Sequence, residues 1–135
     1  FETEYIPVND EELAIFSANT RDPEDVFSIY VIRGPLGQPL TSEDFRTLID
    51  YAREKIMEEP LNTLLSESNR VVHGQPAYEF RYQTRVYGQE NVRQVQIITS
   101  KDTHFFILYF ATRESKFVQR ERIFNEIVDS FEFLY

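Results

Sequence analysis

His104-Phe105-Phe106-Ile107-Leu108-Tyr109-Phe110-Ala111 is the most apolar run in the chain, and its reading decides the fold. A strand with one wet face alternates apolar and polar residues. This run is apolar at odd and even positions alike, which marks a central strand with layers packed on both sides. Val26-Phe27-Ser28-Ile29-Tyr30-Val31-Ile32 is β-branched, aromatic and two-sided over half its length, so it too belongs inside a sheet. The two runs are expected to be neighbours between helical layers.

Outward from these segments, residues 13–19 read as a first strand that turns through Asp22-Pro23 into the Val26 strand. Gly34-Pro35-Leu36-Gly37-Gln38-Pro39 breaks the pattern. Residues 42–59 then form the best helix: Thr41 can cap it, and Glu43 and Asp44 suit its dipole. Phe45, Leu48, Ile49, Ala52 and Ile56 make its apolar stripe, and Pro60 ends it. Residues 64–72 are a strand of mixed pattern, closed by the turn His73-Gly74-Gln75-Pro76. Residues 77–87 alternate, with Tyr78, Phe80, Tyr82, Thr84 and Val86 inward and Glu79, Arg81, Gln83 and Arg85 expected on a wet face. Gly88-Gln89-Glu90-Asn91 turns the chain into residues 92–99, with Val95 and Ile97 inward, and Lys101-Asp102 turns it again. A last helix over residues 115–130 presents Phe117, Phe124, Ile127, Val128 and Phe131, and residues 132–135 leave it as a short tail. The order β-β-α-β-β-β-β-α predicts an α+β domain, an antiparallel β-sheet flanked by helices on its faces.

At 135 residues, 41% hydrophobic and 15% aromatic, the chain has enough apolar surface for one core, which excludes a disordered polymer. No stretch reaches the ~20 apolar residues of a membrane span. The opening Phe1-Glu2-Thr3-Glu4-Tyr5 lacks the basic and apolar regions of a signal peptide, and without an initial methionine it reads as a fragment whose export signal could have been trimmed. Cysteine is absent, so there is no disulfide, thiolate metal site or thiol nucleophile, and the compartment stays undecided. Residues 1–60 carry the whole net charge of −9, and the remainder is neutral. An acidic first half repels phosphates and anionic lipid, so nucleic acid is not expected as a partner.

Catalytic groupings are not visible. His73 and His104 each sit at a turn without an acid or second histidine at ligand spacing, and read as structural or exposed. There is no Gly-x-Ser-x-Gly elbow and no glycine-rich phosphate loop. The acids Asp10-Glu11-Glu12 and Glu58-Glu59 read as solvated flanks. Asp22, Glu24 and Asp25 could hold a divalent cation weakly, but lack the spacing of a calcium loop. No resident metal or cofactor is expected. Arg81 and Arg85 share one expected strand face, with Arg93 across the Gly88 hairpin. They are either a solvated face balanced by Glu79 and Glu90, or a cationic docking surface for an acidic protein, which arginine suits through bidentate bonds. The strand aromatics read as core, with the hydroxyls of Tyr30, Tyr78, Tyr82 and Tyr109 needing partners or the core's rim.

From residue 13 onward the layout resembles the PsbP-like domain family, which includes the extrinsic oxygen-evolving subunit of photosystem II and many prokaryotic lipoproteins. The residues that carry the resemblance are Phe27 to Ile32, the helix opening Leu40-Thr41-Ser42-Glu43-Asp44-Phe45, and Val72-His73-Gly74-Gln75-Pro76-Ala77-Tyr78-Glu79-Phe80-Arg81-Tyr82, which is similar to the family's Gly-x-x-x-Tyr turn and strand. Residues 93–99 lead into 105–111, and Phe124-Asn125-Glu126-Ile127-Val128-Asp129-Ser130-Phe131 resembles the closing helix with its Ser-Phe signature. The family's usual first strand, with a Gly-Tyr/Phe-Pro-x-x-Trp pattern, is missing or cut off here, so residues 1–135 read as one domain shortened at its start. The photosynthetic members' metal ligands do not map onto this sequence.

The resemblance implies a helix-flanked antiparallel sheet and a non-enzymatic role. The leading expectation is a monomeric accessory domain, exported with or without a lipid anchor, that docks on a membrane-associated protein complex with Arg81, Arg85 and Arg93 at the contact. Two alternatives stay open: a small-molecule carrier with a tyrosine-lined cleft, and a cytosolic GTPase-binding regulator built on the same sandwich.

Overall fold

The computed structural model describes residues 25–34 and 38–131 with their side chains, and residues 2–6 and 12–19 as strand backbone. The two apolar runs are β3, Val26–Arg33, and β7, His104–Arg113. They pair antiparallel along their whole length, from Val26 opposite Ala111 to Arg33 opposite His104. Around them lie β1 (Glu2–Ile6), β2 (Glu12–Asn19), β4 (Asn62–Val72), β5 (Gln75–Thr84) and β6 (Val92–Lys101), in one seven-stranded antiparallel sheet ordered β1-β2-β3-β7-β6-β5-β4. Helix α1 (Ser42–Glu58) follows β3, and α2 (Phe117–Ser130) follows β7 after a 3₁₀ turn at Glu114–Lys116. The expected helix-flanked sheet is therefore present. An element not anticipated is β1, which pairs with β2 from Glu2 opposite Asn19 to Ile6 opposite Ile15. Its five residues include two acids, and so short a polar segment carries little strand signal.

Alternation on the two-sided strands divides the core between the helices. Phe27 and Val31 of β3, Val95 and Ile97 of β6, and Phe106, Leu108 and Phe110 of β7 face α2. Phe124 of α2 stacks on Phe110 at 4.9 Å between ring centres and tilts against Phe27 at 5.7 Å. On the opposite face Phe80, Tyr82 and Ile98 meet Ile49 and Ile56 of α1. Burying an apolar side chain of this size contributes roughly 1.5–3 kcal/mol, so each helix is held by packing more than by its own propensity. Thr41 starts α1 as expected: its hydroxyl accepts from the Asp44 N–H at 3.1 Å, and the Asp44 carboxylate accepts from the Thr41 N–H at 2.9 Å.

Turns set the register. His73 and Gly74, between paired Val72 and Gln75, both take positive φ (46° and 77°), the pattern of a two-residue type I′ hairpin. The β6–β7 turn is clipped to the start of the β3–α1 connection and to its return: the Gly34 N–H donates to Thr103 O at 2.8 Å, and the Leu40 N–H to Asp102 O at 2.6 Å. A Cβ on Gly34 would lie 2.6 Å from Leu40 Cδ2 and 3.2 Å from Thr103 O, so the close approach needs glycine. At the far edge, β4 carries one extra residue, Leu65, between Leu64 (opposite Tyr82) and Ser66 (opposite Arg81).

The second face of β5 is not the wet surface that its alternation suggests. Glu79 is only 7% exposed and Arg81 is part-buried, because α2 crosses that face. Arg85 lies beyond the end of β5 and is exposed.

Candidate functional site

Several polar groupings surround the core among the described residues, and three of them follow from where strands end or helices stop covering the sheet. The first lies beneath α2. Glu79 receives Arg70 at 2.7 Å and Arg81 at 2.9 Å, and Arg81 reaches on to Glu121 of α2 at 2.9 Å. Burial works against the charge on Arg81, but the hydrogen bonds it donates to Glu121 and Glu79 outweigh that and raise its pKa. Arg81 also sits 5.9 Å from the Phe117 ring, over which Arg93 lies at 4.2 Å. The structure thus gathers Arg81 and Arg93 at the start of α2 and leaves Arg85 apart, stacked 5.4 Å over the Tyr87 ring.

Arg81, Arg93, Phe117, Arg85 and Tyr87 lie toward one end of the domain, where β5 closes, β6 opens and β7 passes into α2. That end is braced: the Glu114 N–H donates to Asn91 O at 2.9 Å, the Ser115 N–H to the Glu90 carboxylate at 3.1 Å, and the Arg85 N–H to Leu61 O at 2.9 Å. It also shows solvent two apolar side chains, Tyr87 at 74% exposure and Val118 at 86%.

The second grouping is a cleft of about 280 Å³ between α1 and the sheet. Leu48, Ala52 and Ile56 form the helix wall, Ile32 and Ile107 the sheet wall, and Tyr51 and Lys55 the rim. At its inner end Gln96 Nε2 donates to the Tyr82 hydroxyl at 2.9 Å. Beside it a hydrogen-bonded chain of side chains runs from α1 into the sheet. Asn62 donates to Ile56 O at 2.9 Å and accepts from Thr84, Thr84 accepts from Gln94, and Gln94 accepts from the Tyr109 hydroxyl. Burial pushes the hydroxyls of Tyr82 and Tyr109 above the ordinary tyrosine value, so both remain neutral donors. The sequence leaves a tyrosine-lined cleft open as an alternative without placing it. Its one signal was the pair Gln94 and Gln96 on the strand face opposite Val95 and Ile97, which reads as solvated unless a helix is known to lie across it.

The third grouping is Asp25, 1% exposed, which accepts from the Thr112 hydroxyl and lies 2.8 Å from Arg120 Nε. Its carboxylate is engaged by both. Asp22 and Glu24, read with it as a weak cation cluster, lie outside the described residues. Among the described residues no three His, Cys, Asp or Glu side chains gather where they could hold a metal ion. His73 Nε2 lies 3.0 Å from Asp129 O at the end of α2, and His104 Nδ1 lies 2.9 Å from the Thr103 hydroxyl. Among the described residues no helix is long and apolar enough to cross a membrane.

Solved structures share this architecture. Cyanobacterial PsbP (CyanoP) from Synechocystis sp. PCC 6803 superposes with a TM-score of 0.68 at 16% identity, over 96% of this chain and 81% of that one. PA94 of Pseudomonas aeruginosa, a protein of unknown function, gives 0.66 at 14%, covering 100% and 99%. LpqN of Mycobacterium tuberculosis, involved in cell envelope biogenesis, gives 0.56 at 13%, covering 96% and 76%. At such identities the likeness is one of fold. No curated protein matches the chain. The PsbP family pattern matches residues 37–133, which run from the approach to α1 to just past α2, and the chain belongs to the PsbP family.

Proposed function

We propose that this is a non-catalytic accessory domain that works outside the cytoplasm by docking on a membrane-associated protein complex. The observation that carries the reading is the braced end of the domain. Exposed Tyr87 stacked under Arg85, exposed Val118, and Arg93 over Phe117 lie on a hydrogen-bonded support. Tyrosine and arginine are enriched where protein partners meet, and a rigid support lowers the ordering cost of binding. Family membership and the fold shared with CyanoP and LpqN support the same role. Arg85 and Arg93 make the contacts with acidic groups of the partner, and Arg81 acts by holding α2 in place beneath them.

The test is a photo-crosslinking residue placed at Tyr87 or, as a control on α1, at Met57, in the protein expressed in its source organism. Crosslinks from position 87 to a membrane-fraction protein, lost on changing Arg85 and Arg93 together to Gln, are expected. Equal crosslinking from both positions, or no effect of the double change in a protein that keeps its melting temperature, would overturn the assignment.

A further inference from the structure

The cleft under α1 has features that the proposed protein docking does not use. Its walls are apolar, yet its inner end holds two hydrogen-bonding groups with capacity to spare. The Tyr82 hydroxyl accepts from Gln96 Nε2, which leaves its own O–H to donate, and Gln96 keeps its carbonyl oxygen as an acceptor. Among the described residues neither of these has a second hydrogen-bonding partner. A ligand oxygen placed there can accept from Tyr82 and donate to Gln96 at once, which is what a hydroxyl group does. Lys55, the one cation among the described residues that line the cleft, is engaged by Glu58 at 3.2 Å and lies 5.4 Å from the Tyr51 ring, so among these residues no uncompensated charge awaits an anion. The deep end is neutral and part-buried, where a carboxylate would lose its hydration without gaining a counter-ion.

Size narrows the choice. A cleft of about 280 Å³ lies at the small end of ligand sites, which run from about 300 to 1,000 Å³. It has room for one ring and a short substituent. Ala52 supplies the flat, side-chain-poor spot on the helix wall, with Ile56 beside it and Ile107 opposite.

We propose that the cleft between α1 and the sheet binds a small uncharged ring compound bearing a hydroxyl, of the phenol class. The ring lies between Ala52, Ile56 and Ile107, and the hydroxyl accepts from Tyr82 and donates to the Gln96 side-chain oxygen. The exposed Tyr51 ring closes the outer rim over the substituent.

The experiment is a titration of 4-propylphenol into the domain labelled at isoleucine methyl groups, followed by NMR. Saturable shifts are expected at Ile32, Ile56 and Ile107, with Ile97 and Ile123 on the α2 side unmoved. Tyr82→Phe keeps the ring and removes the hydroxyl, and should weaken binding by about fivefold, the worth of one net hydrogen bond. Ala52→Met fills the cleft and should abolish binding, while 4-propylbenzoate should bind at least about tenfold more weakly. The proposal is wrong if no shift saturates below about 10 mM, a level weaker than any useful site. Shifts confined to the α2 side, or unchanged affinity in a folded Tyr82→Phe protein, would overturn it equally. So would carboxylate binding as tight as that of the phenol.

Discussion

Replacing Arg81 with alanine separates a side chain that supports the docking end from one that touches the partner. In the native fold Arg81 bonds Glu79 and Glu121, each at 2.9 Å, and lies against Phe117. Removing it leaves buried Glu79 with Arg70 alone, at 2.7 Å. Breaking a buried ion pair typically costs about 3–5 kcal/mol. Arg70 remains and Arg81 is partly exposed, so roughly half applies, about 2 kcal/mol. Loss of the ring contact adds about 0.5 kcal/mol. The sum of about 2.5 kcal/mol should lower the melting temperature by roughly 10 °C for a chain of this size. Arg85→Ala, at an exposed position, should stay within about 0.5 kcal/mol of the parent. With no tryptophan in the sequence, urea unfolding is followed by far-ultraviolet circular dichroism and tyrosine fluorescence. A double-mutant cycle of Arg81→Ala with Glu121→Ala should return a coupling of about 1 kcal/mol. Equal midpoints for Arg81→Ala and Arg85→Ala, at unchanged slope, would refute the assignment of Arg81 as a support.

Three further outcomes follow from the packing. Phe124→Ala removes a fully buried ring from its contacts with Phe110 and Phe27 and should cost about 3–5 kcal/mol in the same urea experiment; a loss under about 1.5 kcal/mol would mean that α2 does not dock as described. Gly34→Ala forces Leu40 aside and crowds Thr103 O, so a cost of about 1–2 kcal/mol is expected, and a variant as stable as the parent would show that the clip yields freely. The raised pKa values of Tyr82 and Tyr109 mean that above the ordinary tyrosine value of 10.0 the folded chain holds protons that the unfolded chain has released. Their contribution is therefore complete below pH 10 and is lost as the pH climbs beyond it. A tyrosinate absorbance titration should show two late hydroxyls that become ordinary in urea; uniform titration of the folded protein near pH 10 would contradict their burial.

How much of this was legible beforehand depends on what alternation can report. The β3 and β7 runs are apolar at every phase, which is compatible only with cover on both sides, and so the central pairing and the two helical layers were readable. Thr41 with Asp44, and His73 with Gly74, carry local chemistry that names a cap and a turn. Residues 77–87 show the limit. Period two separates the faces of a strand, but a polar face buried beneath a helix and one open to water have the same spelling. Glu79 and Arg81 satisfy each other and Glu121 beneath α2, so their charges did not signal burial. Alternation puts Arg85 on the same face only if the strand continues past Thr84, where the ladder to Val92 ends. The cleft was hidden for the same reason, since Gln94 and Gln96 become a floor only once α1 is laid over them.

The extra residue in β4 has a consequence for solubility. The sheet ends on this strand, whose outer backbone groups are open to a further chain. Charge is a poor guard here, because the two charged side chains of β4 are drawn into the fold, Glu67 to Arg53 and Arg70 to Glu79. The obstacle to a stranger's strand is therefore Leu65, whose insertion bends the border out of the straight run that a second copy would need. Protection of this border of the sheet therefore rests on one position, and deleting it would open that border to growth.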